Sequence, residues 1–146
     1  DYDPQTLAAW GADAAVANLM VTPCPVTGLA LEIVKGREDP VLGFAPASRK
    51  KPISVLDYRL AAEGPVTLVW VLTPHRGQRP EVRVTSEDRD GGTVVGVSHA
   101  AGSDAIYVAR RGETHAVVLG DRPLQGRIAV VRRNEAGEPI AEQAAK

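Results

Sequence analysis

Between Val66 and Leu72 apolar side chains occupy both faces of an extended chain: Val66, Leu68, Trp70 and Leu72 alternate on one side, Thr67, Val69 and Val71 on the other. That pattern predicts a central strand buried on both sides. The preceding run, Ile53 to Leu60, sets Leu56, Tyr58 and Leu60 beside Ser54 and turns Asp57 and Arg59 to the opposite face, so it is predicted to be half wet. The connector Ala61-Ala62-Glu63-Gly64-Pro65 has the length and glycine content of a hairpin loop, which predicts antiparallel pairing of these two runs. The stretch Glu32 to Gly77 is therefore the expected anchor of the fold.

The rest of the chain reads as further short strands. Leu7 to Trp10 lie between Pro4 and Gly11, too close together for a stable helix, so residues 1–12 are predicted as a loose lead-in. Ala14 to Val21 is an apolar run stopped by Pro23-Cys24-Pro25, and Thr27-Gly28 turns into Leu29 to Val34. Glu81–Thr85, Thr93–Ser98, Asp104–Arg110, Thr114–Leu119, Arg127–Arg133 and Pro139–Glu142 follow, each bounded by Gly, Pro, Asp or Asn, and residues 142–146 are expected to fray. About ten short strands, with no helix of three turns, predict an all-β antiparallel β-sandwich forming one domain over residues 1–146. No internal repeat is present.

Charge narrows the partners. Seventeen basic against eighteen acidic residues leave a net charge of −1, so no global field calls for nucleic acid, and any electrostatic recognition must be local. No apolar run approaches the length of a membrane-spanning helix, and no membrane partner is expected. Cys24, the single cysteine, excludes an intrachain disulfide and a cysteine-only metal site, and reads as an inert small side chain. The chain begins at Asp1 with neither a methionine nor a signal-like apolar segment, which reads as cut or processed.

Catalytic patterns are missing. His75, His99 and His115 stand 24 and 16 residues apart, outside short metal-ligand spacings, so neither a metal nor a cofactor is assigned. His99 continues the Val95 and Val97 face and His115 the Val117 and Leu119 face, so both are expected at the core or its rim, whereas His75, in Pro74-His75-Arg76-Gly77, is expected in water. There is no Gly-x-Ser-x-Gly elbow, and no helix follows Gly91-Gly92 or Gly102-Ser103 to complete a phosphate loop. Glu38-Asp39 and Glu87-Asp88 fall in predicted turns, as solvated charge. Of six aromatic residues the strand pattern claims Trp70 and Tyr58, and of the other four Trp10, Phe44 and Tyr107 are the ones left for a sugar-stacking platform. Arg49-Lys50-Lys51 is the compact basic run, beside Arg37, and reads either as a solvated turn or as a binding loop.

Gly36-Arg37-Glu38-Asp39-Pro40-Val41-Leu42-Gly43-Phe44, then Lys51-Pro52 opening a strand, then Leu68-Val69-Trp70-Val71-Leu72-Thr73-Pro74, resemble the sheet domain of heparinase II/III-type polysaccharide lyases. Asp104-Ala105-Ile106, Arg111-Gly112 and Arg127–Arg133 with Asn134-Glu135-Ala136-Gly137 extend the likeness over residues 12–140 in outline. In that family a helical (α/α) toroid precedes an antiparallel β-sandwich, and the catalytic Tyr, His, Asn and Arg lie mainly in the toroid. The resemblance therefore implies a non-catalytic accessory or C-terminal domain, with no catalytic residue of its own, packing on the toroid and lining an anionic-glycan cleft. Its implied partners are that toroid and an acidic polysaccharide, and its implied setting is the periplasm or exterior of a bacterium. Phe44, Arg49, Lys50, Lys51, His75 and Arg76 are the candidates for substrate binding or docking, and the expected hairpin would place Arg49-Lys50-Lys51 at one end of the sandwich near Phe44 and His75. The family loop often holds a Ser and a Tyr. Here Ala45 to Lys50 holds Ser48 but no Tyr, which favours docking over direct substrate contact. An independent carbohydrate-binding or structural interaction module is the alternative.

Overall fold

The computed structural model describes residues 1–46, 48–64, 66–89 and 91–145, and for 48–50 the backbone only. Among them there is no helix, and every strand pairing is antiparallel. The described strands are β1 (Ala9–Trp10), β2 (Ala17–Pro23), β3 (Ala30–Lys35), β4 (Arg37–Glu38), β5 (Val41–Leu42), β6 (Phe44–Ala45), β7 (Ser48–Pro52), β8 (Ser54–Arg59), β9 (Trp70–Arg76), β10 (Val82–Arg89), β11 (Gly92–His99), β12 (Gly102–Ala109), β13 (His115–Leu119), β14 (Arg122–Gly126), β15 (Ile128–Arg133) and β16 (Pro139–Ala145). The all-β class agrees with the alternation of the sequence, while the strands outnumber the ten expected.

The chain divides into two compact units, Asp1–Pro25 with Thr67–Lys146, and Val26–Val66. The first is layered. A five-stranded sheet, β10-β11-β12-β15-β16, has apolar side chains on both faces. On one face Val82, Val84, Val95, Val97 and Ile106 pack with Val71 of β9 and with Cys24 and Val69 just beyond the ends of β2 and β9, which belong to a three-stranded sheet β1-β2-β9. On the other face Val94, Ala105, Tyr107, Ala129 and Val131 pack under the β13–β14 ribbon through Val117, Leu119 and Leu124. Neighbouring residues thus serve opposite faces, as Val94 and Val95 do, because successive side chains on a strand point to opposite sides. Gly92 makes one close approach possible: a Cβ there would lie 2.5 Å from both the Tyr107 ring and the Val108 carbonyl oxygen.

In the second unit β3 pairs with β8 from Ala30↔Arg59 to Lys35↔Ser54, and the short ladders β4–β5 and β6–β7 complete it. Gly43 ties these pieces together. Its carbonyl accepts the N–H groups of Gly36 and Ile53, each at 2.9 Å, at a φ of 79°. A Cβ at that position would lie 2.7 Å from the Gly36 nitrogen, so only glycine fits.

Several expectations are corrected. The predicted anchor hairpin does not form: β8 pairs with β3, and β9 pairs with β2 from Ala17↔Arg76 to Pro23↔Trp70. Residues 66–69 precede β9 rather than belonging to a strand. β9 is also not buried on both sides, for Trp70 is 36% and Leu72 59% exposed. Residues 1–12, expected to be loose, include β1, held by Ala9↔Val21 and Trp10↔Met20, with Tyr2 bridging to Ala9. Ala8 and Ala9 are buried there. The expected fraying after residue 142 is replaced by β16 pairing with β15 as far as Ala145. Arg122 to Gly126, which lie between the expected strands, form a strand returning on β13.

Candidate functional site

The residues singled out from the sequence fall into both units. In the second, Phe44 stands opposite Pro52 on the β6–β7 ladder, next to the exposed Lys51. The side chains of Arg49 and Lys50 lie outside the described residues. Arg37, expected to reinforce this basic run, is committed elsewhere. Glu32 and Asp57 face each other directly across the β3–β8 ladder, a repulsive arrangement for two carboxylates. Arg37 and Arg59 relieve it: Arg37 reaches Glu32 at 3.3 Å and Asp57 at 3.6 Å, and Arg59 reaches Glu32 at 2.9 Å and Asp57 at 2.5 Å. The Arg59 hydrogen bond, with Arg37 adding to it, holds the Asp57 carboxyl below the usual carboxylate range.

In the first unit His75 and Arg76 are consecutive on β9 and therefore point to opposite faces. His75 follows Val71 and Thr73 toward the interior. Both of its ring nitrogens are buried without a hydrogen-bond partner among the described residues, which corrects its expected exposure to water. Arg76 is exposed, opposite Ala17. The pair cannot act together on one ligand.

The other two histidines stand at the rims of the buried clusters, each with a side chain 28% exposed. Asp104, Arg132 and His99 form a chain. Arg132 donates Nε to Asp104 Oδ1 at 2.7 Å and Nη2 to Oδ2 at 3.2 Å, and His99 Nε2 lies 3.6 Å from Oδ2. His99 Nδ1 accepts the Ala101 N–H at 3.2 Å, so its lone pair is used and the ring proton belongs on Nε2, toward Asp104. A base needs a free lone pair within reach of its substrate. His99 does not have one. His115 stacks edge-to-face on Tyr107, centroids 6.3 Å apart, with its ring against Gly91. Among the described residues no three His, Cys, Asp or Glu side chains converge on one point.

Among the described residues, clefts open on the first unit. One, of about 320 Å³, is lined by Glu81, Arg83, Ser98, His99 and Ala100. Arg83 and Ser98 are cross-strand partners there, and Arg83 has no ion-pair partner among the described residues. Another, of about 460 Å³, lies between Asp88, Arg89, Gly91 and Arg110, but its cations are occupied: Arg110 pairs with Asp88 at 2.7 Å and Arg89 with Glu87 at 3.1 Å.

An apolar strip is exposed on the three-stranded sheet. Cross-strand partners share a face, so Tyr2, Ala9, Val21 and Leu72 form one row of the three-stranded sheet, with Leu19 and Pro74 on one side of it and Pro23 and Trp70 on the other. This face is turned away from the Cys24–Val71 cluster. Tyr2 is 45%, Leu19 44%, Trp70 36% and Leu72 59% exposed. Arg76 ends the strip. The doubly apolar alternation of Val66 to Leu72 carries the signal of this face, although by itself it predicts burial on both sides.

Comparison with protein-family models, with curated proteins and with solved structures finds no match to this chain.

Proposed function

We propose that this chain is a non-catalytic accessory β-sandwich domain, of the kind that follows the helical toroid in heparinase II/III-type polysaccharide lyases, and that it works by docking on that toroid. The observation that carries the reading is the outward face of β1-β2-β9, where Tyr2, Leu19, Trp70 and Leu72 stay exposed on a sheet whose other face is core. Apolar surface gathered in one strip with aromatic residues at its margins is characteristic of interaction sites. An acidic polysaccharide as the shared substrate, and a periplasmic or secreted bacterial setting, belong to the same proposal and rest on the sequence resemblance.

The test is to mix the pure chain with a heparinase II/III-type toroid expressed without its own sandwich and to follow complex formation by sedimentation. A one-to-one complex lost in Leu72→Glu is expected. Free sedimentation of both components would refute the docking role. The chain alone should release no unsaturated uronate from acidic polysaccharides.

A second reading, an independent carbohydrate-binding module, is favoured by the cleft holding Glu81, Arg83, which has no ion-pair partner among the described residues, and Ser98, offering an acceptor, a cation and a hydroxyl to a polar ligand. Titration with acidic oligosaccharides separates the two: saturable binding lost in Arg83→Ala supports the module. If Arg49→Glu, Lys50→Glu and Lys51→Glu together weaken binding instead, the basic run is the site.

A further inference from the structure

The docking reading leaves open what covers the apolar strip, and its dimensions and charge narrow the choice. β2 and β9 are seven residues each, so the strip is about 23 Å long, and three strands make it about 14 Å wide at most. With Ala9 and Pro23 buried within that outline, it offers at most about 300 Å² on one side. A second copy stacked on it would bury roughly twice that in total, about half of what a stable free dimer needs. Contacts of this size are adequate between domains of one polypeptide, where a tether replaces concentration.

Width then selects the element. One α-helix is about 10–12 Å across, matching the strip, and 23 Å corresponds to about 15 helical residues. A facing ribbon of two strands would lack stability of its own. Charge selects the end. Arg76 shares the outward face with Pro74 and Leu72, is exposed, and has no ion-pair partner among the described residues. A carboxylate, or the carbonyl end of a helix, completes it.

We infer that the strip of Tyr2, Leu19, Val21, Trp70, Leu72 and Pro74 receives a single amphipathic helix of a tethered domain, lying along β2 and β9 with its acidic or C-terminal end at Arg76. This inference rests on the docking reading. It specifies the partner element and its direction.

The probe is a synthetic 15-residue helix with a leucine stripe, lacking tryptophan, joined to the full chain by a 20-residue Gly/Ser linker whose mean span of about 25 Å covers the strip. Trp10→Phe leaves Trp70 as the sole reporter. One fusion carries glutamates at the helix C-terminus and a second carries lysines there. The glutamate fusion should shift Trp70 emission to shorter wavelength and shield it from iodide. The lysine fusion should dock about threefold more weakly at low salt, the difference fading at high salt. Arg76→Glu should reverse that preference, and Leu72→Glu should abolish docking of both while sheet circular dichroism is kept. If neither fusion docks although Leu72→Glu still destroys the complex with the toroid, the helix assignment is wrong and the docking reading survives. If Leu72→Glu leaves that complex intact, the docking reading itself fails. Dimerisation with increasing concentration, removed by Leu72→Glu, would assign the strip to a second copy and overturn the inference.

Discussion

Leu119→Ala probes how the layers of the first unit are joined. Leu119 is 2% exposed in β13 and belongs with Tyr107, Val117, Ala129 and Val131 to the cluster under the β13–β14 ribbon, whereas its neighbour Val118 is 51% exposed. A two-stranded ribbon is marginal by itself, so this one depends on the few apolar side chains it presents to the sheet. Buried Leu→Ala substitutions cost about 2–5 kcal/mol depending on how far the site collapses. The ribbon covers the sheet from one side and can settle toward it, which places the expected loss near 3 kcal/mol. For a unit of this size that lowers Tm by about 12–15 °C. Amide exchange in residues 115–119 and 122–126 should accelerate by up to about a hundredfold, at tenfold per 1.4 kcal/mol, ahead of β11 and β12. Val118→Ala should cost within about 0.5 kcal/mol. Urea titration and hydrogen exchange measure both variants. Equal losses for the two substitutions would refute the reasoning, because a one-residue slip of β13 exchanges its faces.

Gly92→Ala should cost about 2 kcal/mol or more, since the added methyl meets a backbone carbonyl that cannot turn aside; an unchanged urea midpoint would contradict the packing of β11 on Tyr107. The hydrogen bond from Arg133 is the main reason the Asp121 carboxyl is held below its usual range, so the native state binds protons less readily there than the unfolded chain. That contribution is present above the unfolded value of about 3.9 and is lost as pH falls through the folded one. Asp121→Asn should therefore flatten the acid limb of the stability curve below about pH 4, with small amplitude for so exposed a pair, and parallel limbs for variant and parent would dispose of this account. Cys24 is 3% exposed and burial pushes its thiol up, so a thiol reagent at neutral pH should label it only as the Val84–Val97 cluster opens. Labelling at the rate of a free cysteine would show that the cluster does not protect it.

What could be read along the chain was what neighbouring residues decide. The strands at Thr93–Ser98, Asp104–Arg110, Thr114–Leu119 and Arg127–Arg133 each recur within a few residues of their expected bounds, because alternation and turn residues act over the length of one strand. Three of the four ladders of the five-stranded sheet follow from such short connections, whereas β12 joins β15 across the whole β13–β14 ribbon. Partner choice between distant strands is different in kind. β9 joins β2 across some fifty residues and β8 joins β3, and nothing in the alternation of Ile53–Leu60 or Val66–Leu72 names those partners; pairing is set by the sum of non-local packing against loop closure. The candidate site divided in the same way. That β9 is apolar on both faces was legible, but only the tertiary structure decided that Val71 meets the core while Leu72 and Trp70 face outward. It also parted His75 from Arg76 and drew Arg37 into the Glu32–Asp57 network, because a strand's faces acquire meaning only from the layers placed against them.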